Sequence, residues 1–64
     1  MITRREFIKQ TYGTGRDMAK ALGVTPQSIS SYNKEPIQFY KHLDQLKRDS
    51  GLSADEIIKI LHNE

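Results

Sequence analysis

Apolar residues recur along this chain at helical spacing in five short stretches, and each stretch is bounded by a residue able to start or stop a helix. Phe7, Ile8 and Tyr12 give the first stretch an apolar side. Thr3 precedes it as an N-cap with Glu6 three residues on, the spacing at which a hydroxyl and a carboxylate satisfy a helix's first N–H groups reciprocally, and Gly13 follows, placed to end it in a left-handed conformation. Met18, Ala19 and Leu22 form the second stripe, opened by Thr14 with Asp17 and closed by Gly23. Thr25 then caps a third helix whose first residue is Pro26, where a missing N–H costs nothing. Only Ile29 and Tyr32 are sizeable apolar residues in it. Glu35-Pro36 breaks the helix, because the residue before a proline disfavours the α conformation. Phe39, Leu43 and Leu46 then repeat at i, i+4, i+7, with Ile37 and Tyr40 widening the stripe and Ser50-Gly51 ending it. Ser53 with Glu56 opens the last stretch, in which Ala54, Ile57, Ile58 and Leu61 face one way and Ile60 lies off the stripe.

The pattern predicts an all-α fold of five short helices over about 3–12, 15–22, 26–33, 36–49 and 53–62, in one domain spanning 1–64. No stretch alternates strictly enough to argue strongly for a strand. Residues 36–48 admit a second reading, with Ile37–Tyr40 as an edge strand, but the DQLKR that follows favours helix. Ile37, Tyr40 and Ile60 fall outside the main stripes. They either complete a small core or form a partner surface, and the pattern does not choose.

At 64 residues the chain buries only roughly 60% of the surface its unfolded form exposes, so its core is marginal and oligomerisation is the expected supplement. There is no cysteine, which removes disulfides, thiolate metal sites and cysteine nucleophiles together. No apolar run approaches the roughly 20 residues a membrane span needs, and MITRREFIKQ lacks an apolar signal-peptide core. The expectation is a soluble cytoplasmic protein, associated with the nucleoid if it binds DNA. The net charge of +2 says little, but its distribution says more: residues 1–34 hold six cations against two anions, whereas residues 35–64 hold four against six.

The basic half also contains a two-helix unit. Ala19 stands where two crossing helices touch, Gly23 four residues on supplies the turn, and Ile29 and Tyr32 give the second helix an inward edge, the spacing of a helix-turn-helix. Such a unit reads DNA by placing short polar side chains of its second helix in the major groove. Gln27 is the first candidate reader, since its amide can bond bidentately to the N6 and N7 edge of adenine. Ser30 and Ser31, one turn on, let the backbone approach closely, and Lys34 reaches a base or a phosphate just beyond the helix. Phosphates are expected at Thr14, Gly15 and Arg16, where a hydroxyl, free N–H groups and a guanidinium converge, with Thr25, Ser28 and Asn33 as further candidates. Arg4, Arg5 and Lys9 read more readily as a solvated face of the first helix than as a phosphate clamp.

Residues 12–32, YGTGRDMAKALGVTPQSISSY, resemble the Cro repressors of lambdoid phages and related small bacterial Cro/repressor-type helix-turn-helix regulators. The likeness is close over Tyr12-Gly13-Thr14, Ala19-Lys20-Ala21-Leu22-Gly23-Val24 and Ile29-Ser30, and it covers about a third of the chain. It implies a lambda-repressor-like domain that represses transcription as a homodimer on a short, roughly palindromic double-stranded operator, with Gln27, Ser30 and Ser31 in the major groove. Tyr32 stands where such proteins often carry tryptophan. Residues 35–64 depart from Cro and look more like the closing helices of repressor-type domains; in Cro-like families this half is helical or a β-hairpin.

No enzyme is expected. His42 and His62 lie 20 residues apart without a carboxylate or second histidine at ligand spacing, so no metal is predicted, and no serine has a glycine elbow or an activating His–Asp pair. Asp55 and Glu56 serve a helix N-terminus. Neither cofactor, small-molecule ligand nor membrane partner is implied. Two rival readings keep the fold: an antirepressor or interaction module that seizes another regulator, and a plasmid or toxin–antitoxin regulator that binds both DNA and a protein.

Overall fold

The computed structural model describes residues 1–63. Within them lie five α-helices and no strand: α1 (Arg4–Thr11), α2 (Gly15–Leu22), α3 (Pro26–Lys34), α4 (Leu43–Ser50) and α5 (Ala54–Leu61), with a 3₁₀ segment, Pro36–His42, between α3 and α4. The four starts with a capping hydroxyl hold. The hydroxyl oxygens of Thr3, Thr14, Thr25 and Ser53 each accept the backbone N–H three residues on, at 3.1, 3.1, 3.2 and 3.3 Å. At α1 the reciprocal half of the capping box takes another form, in which the Thr3 hydroxyl donates to Glu6 Oε1 at 3.2 Å.

The helix expected over 36–49 is instead two pieces, and Tyr32 gives the reason. Its ring meets Phe39 edge-on at 5.3 Å between centroids and tilts over His42 at 5.8 Å, with its hydroxyl 3.4 Å from His42 Nε2. A 3₁₀ helix stacks residues i and i+3 in line, so it sets Phe39 and His42 along one edge against the tyrosine; an α-helix would rotate them about 60° apart. The tighter winding leaves Ile37 62% exposed.

Eleven residues make the core: Phe7, Ile8, Met18, Ala19, Ile29, Tyr32, Phe39, Leu46, Ile57, Ile60 and Leu61. Tyr40 packs half-buried on it. Ile60 therefore belongs to the core, and the stripe drawn through Ile58 is corrected. On α5 the three buried positions span about 100° of arc centred close to Ile57, which takes in Ile60 and leaves Ile58 at the rim. The termini are tied by polar bonds. The Arg4 N–H donates to the Asn63 carbonyl at 2.8 Å, and Asn63 Nδ2 donates to the Ile2 carbonyl at 2.9 Å.

Candidate nucleic-acid interface

The turn between α2 and α3 depends on Gly23, which has φ +72° and ψ +29° and caps α2; the N–H of Val24 then returns to the Ala19 carbonyl at 2.9 Å. Ala19 is fully buried where α2 meets α3, and Ile29 and Tyr32 seat α3 from its inner side. With α3 held by that edge, the residues opposite must face outward. Gln27, Ser30, Ser31 and Lys34 are all exposed. At 100° per residue they fall within about 100° of arc, and at 1.5 Å per residue they run about 10 Å along the axis, a strip that a major groove about 12 Å wide admits.

The six phosphate candidates separate into two places. Thr14, Gly15 and Arg16 form the start of α2, where the N–H groups of Gly15 and Arg16 find no acceptor inside the helix. This end lies directly against α3: a Cβ on Gly15 would sit 3.6 Å from Ile29 Cγ2. Asn33 joins this group rather than the strip, about 110° round α3 from its middle, and its Oδ1 accepts from Arg4 Nε at 3.0 Å. Thr25 and Ser28 form the other place, the start of α3, where their hydroxyl oxygens lie 3.1 Å apart.

Arg4 is not a solvated side chain. It is half-buried, and Nη1 donates to the Leu61 carbonyl at 2.8 Å while Nε holds Asn33, so one guanidinium joins α1, α3 and the end of α5. What Arg5 and Lys9 face was likewise missed from sequence. With Arg4 they line an open cleft of about 780 Å³ whose other wall is Gly13, Thr14 and Gly15 and whose remaining lining is Thr3, Ile8 and Asn33. The i, i+4 spacing of Arg5 and Lys9 was the available signal, but the wall they face comes from tertiary packing.

The groups with shifted protonation are Tyr12, at the C-terminal cap of α1, and Asp49 on α4. Burial, and then the Asp49 carboxylate, push the Tyr12 phenol well above its ordinary range; Tyr12 donates to Asp49 Oδ2 at 2.6 Å, and that bond with those from Gln45 holds Asp49 below the usual carboxylate value. His62 shares a 2.7 Å hydrogen bond with Tyr40. No helix among the described residues is long and apolar enough to cross a membrane. Neither a protein-family model nor any curated protein or solved structure matches the chain.

Proposed function

We propose that this protein is a sequence-specific DNA-binding transcriptional repressor of Cro type, which lays α3 in the major groove of a palindromic operator and acts as a homodimer. The observation that carries the reading is the exposed strip Gln27, Ser30, Ser31 and Lys34 on a helix anchored from behind by Ile29 and Tyr32. The strip has short polar groups for base edges and no carboxylate to repel phosphate. The start of α2 beside it offers free N–H groups and Arg16 for the backbone. A dimer would place its two reading helices roughly 34 Å apart, one turn of the duplex, and steric exclusion of polymerase would suffice for repression.

Selection of bound sequences from a random duplex pool tests the assignment. Gln27→Ala is expected to relax preference at one base position, where discrimination of about 1–3 kcal/mol is lost. Arg16→Ala is expected to weaken binding to all sequences alike and to lower the log–log salt slope by about 0.9. Unchanged preferences in Gln27→Ala would remove Gln27 from the reading, and a wild-type protein that enriches no sequence would remove sequence-specific binding altogether. One observation favours the antirepressor reading: Ile37, 62% exposed, lies three residues beyond the end of α3 and offers an apolar contact to another protein. In that case gel shifts with candidate operator DNA would show no complex.

A further inference from the structure

The strip on α3 and the start of α2 leave one basic feature of the molecule without a use. The cleft between α1 and the α1–α2 turn is lined by three cations and by no carboxylate among the described residues. Arg4 is occupied in joining three helices. Arg5 and Lys9 are not. They stand one turn apart on α1, about 6 Å between Cβ atoms, both exposed, and neither side chain makes a hydrogen bond or ion pair to a described residue. The nearby acid on α1, Glu6, takes the Thr3 hydroxyl. On α2, Asp17 leans toward Gly13, where a Cβ would lie 3.6 Å from its Oδ2, and it does not line the cleft.

The places that Cβ atoms would take on Gly13 and Gly15 lie against Asp17 Oδ2 and Ile29 Cγ2, each at 3.6 Å, so what the opposite wall offers an oxyanion is the Thr14 hydroxyl and the Gly15 N–H, which has no acceptor inside α2. At the far end Asn33, with its Oδ1 committed to Arg4, keeps Nδ2 as a donor. Two exposed cations facing a wall of neutral donors suit a group that is anionic, hydrated and rich in acceptors, and a cleft this open suits a segment of a polymer better than an enclosed small molecule.

We infer that this cleft seats a sugar–phosphate segment of the DNA backbone, gripped by Arg5 and Lys9 from α1 opposite Thr14 and Gly15. The inference rests on the reading of α3 as a DNA-reading helix and extends it: α1, assigned no DNA contact by that reading, becomes part of the interface. The phosphates it holds belong to the strand that the start of α2 touches, so the contact adds affinity without adding sequence preference.

The test is the salt dependence of binding to a random-sequence duplex, followed by fluorescence anisotropy, for wild type, for Arg5→Ala/Lys9→Ala, and for Lys47→Ala/Lys59→Ala. The last pair removes the same charge from exposed positions outside the cleft. The cleft variant is expected to lose about 1.8 from the log–log slope, about 0.9 for each phosphate, and to bind roughly thirtyfold more weakly near 0.15 M salt. The control pair is expected to keep the wild-type slope. Both cleft side chains are exposed and unbonded and alanine is a good helix former, so the fold is retained, as a thermal melt would verify. Base preferences of the cleft variant, by pool selection, are expected to match wild type. An unchanged slope in the cleft variant, or an equal loss in the control pair, overturns the inference. If Gln27→Ala alters base preference while the cleft variant binds like wild type, the role of α3 stands and the cleft falls. If the slope drops but Gln27→Ala changes nothing, the cleft stands and base reading by Gln27 falls. A wild type that binds no duplex ends both.

Discussion

Alanine at the two glycines that bracket α2 is expected to give opposite results. Gly23 has φ +72°, and a Cβ there would have no neighbour within 4 Å, so Gly23→Ala meets no clash and bears only the cost of a left-handed backbone, about 1–2 kcal/mol. Part of that is offset because alanine narrows the unfolded ensemble, by about 0.4–1 kcal/mol, leaving a net loss of about 1 kcal/mol. For 64 residues the unfolding entropy is about 130 cal/mol/K, which converts the loss into about 7 °C of melting temperature. Gly15 is helical, and its Cβ would lie 3.6 Å from Ile29 Cγ2, an ordinary contact. Gly15→Ala therefore keeps or raises the melting temperature through helix propensity. The added methyl group rests on Ile29, against α3, and Ile29 does not line the cleft. Alanine keeps the backbone N–H, so duplex affinity is expected to stay close to that of wild type. Thermal melts by circular dichroism and anisotropy titrations of the same two variants measure both effects. A Gly23→Ala melt within about a degree of wild type, or a Gly15→Ala melt below that of Gly23→Ala, would contradict this account of the two glycines.

Phe39→Ala, at a fully buried ring that also braces Tyr32, is expected to cost about 3–5 kcal/mol, close to the whole stability of a domain this size, and so to leave the chain largely unfolded in urea titrations begun at room temperature. Tyr12 makes stability depend on alkaline pH. Its phenol lies above the ordinary 10.0 in the folded protein, so its contribution is complete below that pH and is lost as pH rises through the higher folded value. Asp49 behaves in the opposite direction: its contribution is present above the ordinary 3.8 and is lost as pH falls through its lowered folded value. Urea midpoints across pH for wild type and Tyr12→Phe check both, and an alkaline decline of equal size in Tyr12→Phe would exclude Tyr12 as its source.

The helix count and the four capped starts were legible because caps are local: a hydroxyl, a proline and a glycine act within four residues, and all four predicted N-cap bonds are present. The exposed strip was legible for the same reason, since two apolar residues at i, i+3 suffice to say which side of α3 faces inward. What escaped depends on contacts far apart in sequence. The 3₁₀ winding of Pro36–His42 answers to Tyr32, and no pattern within residues 36–42 announces that ring. Arg4 reads as an exposed helix cation until the end of α5, 57 residues later, presents it with a carbonyl. Ile60 was misjudged for a geometric reason: on a helix of eight residues, the stripes through Ile57–Ile58–Leu61 and through Ile57–Ile60–Leu61 are equally narrow, and only the neighbouring elements select one.

The same distant contacts bear on how the candidate interface is held in place. A helix with two apolar anchors has little intrinsic hold on its orientation, and at nine residues α3 is too short to be stable alone. Three supports make up the deficit. Ile29 meets the start of α2, Tyr32 rests on Phe39 and His42, and Asn33 is held by Arg4, which is itself fastened to the end of α5. All three lie on the inner side or the flank, so none uses Gln27, Ser30, Ser31 or Lys34, and those positions are free to vary chemically without loss of the fold. The supports also lead outward to both termini, because the backbone at Arg4 pairs with Asn63. Disturbing the terminal tie should therefore reach α3 through Arg4 and Asn33, loosening the strip at its Lys34 end before its Gln27 end, where Thr25 supplies an independent cap.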